Sequence, residues 1–266
     1  MSLLRQTVAI YRRELLLLFG TPLAWLLLAL LTFVCGWLFV GRVELFIALS
    51  TQYRAAGAAE ALEALNLTEV VLVPMVGTRG TLLLFAAPLM TMRLIADERS
   101  RGTFELLLTS PVRPAAIVLG KYLAVLTLVL CFLALSLVEP LLLAAIGTGQ
   151  AGAVAWPTIL SGLLGVCLTG AALTAVGLFF SALSRSQAVA ALTTLVFSLL
   201  LFLAAQAAPL MEGSSRELLM VLSAGHHLRL LAQGLLDVAS LAYFGAWIVL
   251  GLFLSHRAIE WHRWAG

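Results

Sequence analysis

RLIADERSRGTFELLLTSPVRP, Arg93 to Pro114, lies where two long apolar stretches nearly meet. Its flanks are apolar enough to enter a bilayer, and the block itself is not. Gly102 permits a turn. Thr103 can then cap a short helix whose first turn carries Glu105, an acid favoured at the positive helix N-terminus. Phe104, Leu107, Leu108 and Pro111 give that helix an apolar face, and Asp97, Glu98, Arg99 and Arg101 ring it. Pro111 and Pro114 end it and set up the next apolar run. A chain that only had to reverse direction needs no such helix. The plain alternative is a solvated loop with an apolar interior; a rigid knob gripped by another protein explains more of the pattern.

The runs on either side decide the class. Of 266 residues, 62% are hydrophobic and 11% charged, and mean hydropathy is +1.07. Soluble domains carry about 25% charged residues, and a soluble core of this length cannot hide so much Leu, Ala and Val. The runs lack the alternation of barrel strands. The fold class is therefore all-α: a polytopic membrane protein, read as one transmembrane domain over residues 1–266. The net charge of +3 fits basic residues gathered at cytoplasmic helix ends and gives no reason to expect nucleic acid. Cys35, Cys131 and Cys167 lie apart inside apolar runs, which argues against a disulfide framework or a CxxC site. No cleavable signal peptide is expected, because the first apolar run is too long for one.

About 20 apolar residues cross the hydrocarbon, and six segments qualify: Pro22–Val40, Gly80–Ala96, Ala115–Ala145, Thr158–Ser181, Ala188–Ala208 and Ala239–Ser255. Arg79 and Arg93 bracket the second, and both are expected to snorkel to opposite interfaces. The third is over-long and is expected to tilt or to break near Glu139–Pro140. Six spans put both termini on one side. Arg5, Arg12, Arg13, Arg99, Arg101, Arg113, Lys121, Arg185, Arg257 and Arg263 fall on that side. Arg42, Arg54, Arg79, Arg216 and Arg229 fall on the other. Both termini are thus expected in the cytoplasm of a cell whose inner membrane holds the chain.

Residues 1–19 read as an amphipathic interfacial helix with Leu3, Leu4, Val8, Tyr11 and Leu15 on its apolar side. Residues 41–78 read as an external segment with helical character around Arg54–Leu65. Residues 209–238 read as a second external segment, with short helices at Arg216–Ser223 and His227–Leu236 that need protein or water around them at membrane depth. Small residues spaced by four (Ser161/Gly165, Gly170/Thr174, Gly177/Ser181) allow close helix contact, either within the chain or with a second copy.

Catalytic signatures are missing. The sequence contains no GxxxxGK[ST], so this chain is not itself a P-loop ATPase, and no HExxH or GxSxG. Its two aspartates, Asp97 and Asp237, are far apart, and His226 and His227 point in different directions on a helix. No metal or cofactor is expected on the chain. Glu139 is the one acid inside an apolar run; at about 1.5 Å per residue it is expected near the outer headgroups. Glu14, Glu139 and Asp237 are the candidate transmission or pathway acids.

TMRLIADERSRGTFELLLTSPVRPAAIVLGKYLA resembles the coupling loop of ABC-2-type permeases, the membrane subunits of type-2 ABC exporters. Asp97, Glu98, Gly102, Thr103, Glu105, Leu106, Leu107, Pro111, Gly120 and Lys121 carry the match. Arg12–Leu31 and His226–Trp264 are similar to the gliding-motility-type branch, which also resembles permeases of copper-site maturation. Gly234, Asp237 and Tyr243 fall at that branch's expected places, whereas Gln233 stands where an Arg is usual.

The resemblance implies a cytoplasmic coupling helix within residues 97–114, docked by a separate ABC ATPase that binds ATP and magnesium. It implies pairing with a second permease chain, as homo- or heterodimer, and ATP-driven export; an accessory protein with an extracytoplasmic domain is a further candidate partner. Two alternatives stand beside it: a non-transporting scaffold of a surface, motility or cofactor-assembly apparatus, and an integral membrane enzyme, which the missing catalytic clusters disfavour.

Overall fold

In a computed structural model of the chain, residues 2–102, 112–146 and 154–265 are described. Among them there is no strand. All six expected spans are helices long and apolar enough to cross a membrane. The elements are α1 (Leu3–Phe19), α2 (Pro22–Ala55), α3 (Ala59–Ala64), α4 (Val73–Thr91, entered through a π-turn at Thr68–Leu72), α5 (Ala96–Ser100), α6 (Pro114–Ser136) and α7 (Val138–Ile146). They continue with α8 (Trp156–Leu183), α9 (Gln187–Ala207), α10 (Ser214–Leu222), α11 (Ala224–Ala232) and α12 (Val238–Ala265).

Helix α8 is the centre. Its small residues let neighbours approach on several sides. A Cβ on Gly162 would meet Val76 of α4 at 2.7 Å, one on Gly170 would meet Val129 of α6 at 2.6 Å, and one on Gly165 would meet Leu231 of α11 at 2.9 Å. The spacing-by-four pattern thus serves packing within the chain. From the other partner, a Cβ on Gly251 of α12 would lie 2.8 Å from the Ala175 carbonyl carbon. That neighbour is backbone and cannot swing aside, so overpacking of about 1–3 kcal/mol is the expected cost. Gly251→Ala is expected to lower the unfolding midpoint of the detergent-solubilised chain, with Gly245→Ala, which meets nothing within 4 Å, as the silent control.

The long third span breaks where the sequence places Pro140. Helix α6 ends at Ser136 and α7 starts at Val138. Pro140 has no N–H to give to the Ser136 carbonyl, its α-helical acceptor. Arg79 Nη2 donates to that carbonyl instead, at 3.4 Å.

Several boundaries and exposures differ from the sequence reading. Helix α2 runs on to Ala55, 34 residues or about 51 Å, so much of residues 41–78 is helix. All its buried residues, Ala24 to Cys35, lie in its first half. The second span extends over Thr68–Ser100, because the apolar Val70–Val76 run joins it. Arg79 does not snorkel: it is 2% exposed and paired with Glu139. Helix α1 packs along α6 through Thr7, Ile10 and Glu14, while Leu4 and Val8 of its expected apolar side are exposed. The packed stripe contains a threonine and a glutamate, so hydrophobicity alone could not mark it.

Candidate functional site

The block that opens the sequence reading is described up to Gly102. Thr103, Phe104, Glu105, Leu107, Leu108 and Pro111 lie outside the described residues, as does the helix expected there. What is described is the stem on both sides, and it is tied to four helices.

Four charges meet at α5. Lys121 Nζ of α6 donates to Glu14 Oε1 of α1 at 2.9 Å and to Glu98 Oε1 of α5 at 3.0 Å. Lys121 is 2% exposed, so among the described residues it is these carboxylates that offset burial of its ammonium. One acid would neutralise it. The second is matched by Arg13, whose Nη1 lies 3.8 Å from Glu14 and 3.7 Å from Glu98. The cluster is neutral as two cations and two acids, and α1, α5 and α6 each supply at least one member.

The Gly120-Lys121 pair now has a physical reason. A Cβ on Gly120 would meet Ile10 Cγ2 at 2.7 Å and the Thr7 carbonyl oxygen at 3.1 Å. The glycine brings α1 against α6, and the lysine beside it ties the two. Tyr11 and Thr127 hydroxyls hydrogen-bond at 3.0 Å, and Gln6 Oε1 accepts from the Arg113 N–H at 3.3 Å. Arg113 follows the undescribed stretch, so α1 also holds that stem.

On its other side, α5 is fastened to the end of α8. Ser181 Oγ accepts from the N–H groups of Ile95 and Ala96 at 3.1 and 3.2 Å and donates to the Met92 carbonyl at 3.3 Å. Arg99 Nη1 donates to the Ala182 and Ser184 carbonyls at 2.7 and 3.4 Å. These carbonyls close α8, where a cation also suits the helix dipole. Asp97 Oδ1 accepts from Gln187 Nε2 of α9 at 2.6 Å and from Arg101 Nε at 3.0 Å. Gly102 leaves the stem at φ 71°, a conformation that favours glycine.

The structure therefore brings Glu14, Asp97, Glu98 and Arg99 together with three partners the sequence reading did not single out as site residues: Lys121, Ser181 and Gln187. Lys121 carried a signal. A lysine seven residues into an apolar run is a functional suspect by default, whereas the sequence reading gives Lys121 only as an inner-side charge and a member of the loop motif.

The other two candidate acids sit elsewhere. Glu139 is buried and paired with Arg79. Asp237 is exposed and accepts from the Ala239 N–H at 3.2 Å, capping α12. Near it, α11 packs between α4, α8 and α9 as a short buried helix, while α10 has no buried residue. His227 Nε2 bonds the Val221 carbonyl and Nδ1 bonds Ser240 Oγ, each at 3.0 Å, and the ring stacks on Tyr243 at 4.3 Å. Burial, then His227 and Arg229, hold the His226 pKa below its usual value. Among the described residues, no group of three or more His, Cys, Asp or Glu is placed to hold a metal.

Six apolar helices around a small-residue axis, with a charged stem at one end, define a multi-pass membrane subunit. Residues 64–254 match the ABC-2 family transporter protein family, and the chain belongs to it: this is the membrane component of an ABC transporter. No curated protein matches the chain.

Proposed function

We propose that the chain is the permease half of an exporter in the inner membrane, with both termini in the cytoplasm, and that residues 103–111 receive a separate ATPase. That ATPase binds ATP and magnesium, and a second permease chain completes the pathway. The observation that carries the reading is the anchoring of the stem. Glu98 and Arg113, on either side of the stretch, are tied to α6 and α1, while Asp97 and Arg99 are tied to α9 and α8. A push on the stretch enters the bundle at four helices at once, which suits rigid-body transmission.

The gliding-motility-type branch is our finer assignment. Gly234 sits at φ 86° between α11 and α12. Asp237 caps α12, and Tyr243 donates from its hydroxyl to the Leu222 carbonyl at 2.7 Å while stacking on His227. Tyr243 ties the end of α10 to α12, while Gly234 and Asp237 shape the turn from α11 into α12, which gives the branch pattern a structural purpose.

The test replaces Glu105 and Leu107 by Ala in the full chain. ATPase co-purification in mild detergent is expected to fall at least about tenfold, the loss of roughly 1.4 kcal/mol. Unchanged co-purification, or labelling of a Thr103→Cys chain from the exterior of intact cells, would sink the docking role.

A further inference from the structure

We propose that the cleft between α1, α2, α4 and α5 binds one anionic phospholipid, with its phosphate among arginines at the mouth and an acyl chain along the apolar wall. The cleft has a volume of about 470 Å³, inside the range of about 300–1,000 Å³ typical of small-molecule sites. Its chemistry is split. One end carries Arg13, Arg93 and Arg101. The wall behind them is Leu23, Ala24 and Leu27 of α2 facing Leu89 and Met90 of α4. A soluble anion would have no use for that wall, and an uncharged hydrocarbon would have no use for that mouth. A phospholipid matches both.

The charges at the mouth favour an anionic head. Lys121 holds Glu14 and Glu98, and Gln187 and Arg101 hold Asp97. Arg13 touches its acids only at 3.7 and 3.8 Å and is more than half exposed. Arg93 is exposed and, among the described residues, makes no hydrogen bond or ion pair. With four cations and three acids lining it, the cleft carries one positive charge in excess. Arginine is also the side chain whose fork matches phosphate oxygens.

Access is lateral. Leu17 of α1 and Leu89 of α4 line the cleft and are 51% and 41% exposed. A lipid can therefore enter sideways from the leaflet that borders α1. The proposal depends on the membrane reading of the chain and not on its ATPase partner.

The test uses the purified full chain in mild detergent, with native mass spectrometry as the readout. The probes are dioleoyl phosphatidylglycerol, dioleoyl phosphatidylcholine and inorganic phosphate. Wild type is expected to hold one phosphatidylglycerol in preference to phosphatidylcholine, and millimolar inorganic phosphate is expected not to displace it. Arg93→Glu is expected to cut that occupancy about tenfold or more, by loss of a charge-assisted contact. Leu89→Trp is expected to cut it similarly by filling the wall, and because Arg93 and Leu89 are both exposed, both variants are expected to keep the wild-type unfolding midpoint without lipid. Equal retention of phosphatidylglycerol by wild type and both variants would overturn the site. Equal retention of the two lipids by wild type would overturn the headgroup assignment, and displacement by inorganic phosphate would overturn the lipid as occupant. ATPase binding enters none of these readouts, so their failure and failure of the docking role are separable.

Discussion

Lys121→Met is expected to destabilise the chain by about 3–5 kcal/mol, the usual cost of removing one partner from a buried ion pair. The loss arises because Glu14 and Glu98 both keep their places when the ammonium goes. Glu14 is buried, and its distance to Arg13 is 3.8 Å, too long for a good hydrogen bond. The unfolding midpoint of the purified chain in mild detergent should fall clearly, and α1 should become accessible to protease before the bundle melts. Glu14→Gln combined with Lys121→Met should recover most of the loss, since the one acid left, Glu98, is less buried than Glu14 and its charge is balanced by Arg13. A single variant as stable as wild type would show that α1 is held by its packing on Gly120 and its Tyr11 and Gln6 hydrogen bonds, without need of the ion cluster.

The second large effect is expected at the other end of the bundle. Arg79→Met should also cost about 3–5 kcal/mol, because Glu139 is then left buried without its partner. It also strips the donor from the Ser136 carbonyl that Pro140 leaves unserved. The double variant Arg79→Met with Glu139→Leu should return close to wild-type stability, since replacing a buried pair by apolar groups of similar volume is often neutral. The residual deficit should be on the order of 1 kcal/mol, the cost of one uncovered buried carbonyl. Both sites are far enough apart for their effects to add. An Arg79→Met chain unfolding at the wild-type midpoint would mean that water or lipid headgroups reach Glu139.

Pattern and composition were enough for the six spans and for the break at Pro140. Length and apolarity are additive along the chain, and proline acts locally. The faces were harder. The packed stripe of α1 runs through Thr7 and Glu14, which hydrophobicity does not mark, while Leu4 and Val8 lie exposed outside that stripe. Glu14 becomes a core residue only because Lys121 lies more than a hundred residues away on α6. The same holds for Arg79, which reads as an interface anchor until Glu139 and the freed Ser136 carbonyl are placed beside it. Of the stem, Asp97, Glu98 and Arg99 stood out as a charged run. Of their partners, Ser181 stood out only as a small residue in the spacing by four, and Gln187 and the last carbonyls of α8 carry no sequence signal, because an amide and a helix end are common everywhere.

The crowding around α8 sets what the surrounding lipid can do to the molecule. Helices α2, α9 and α12 present most of their length outward, whereas α8 is largely shielded by its neighbours. Membrane thickness can therefore act on the molecule chiefly through that rim, tilting the outer rods to relieve hydrophobic mismatch while the keel stays upright. Because the stem is fastened to the keel through Ser181 and Arg99, the stem keeps its height when the bilayer thins.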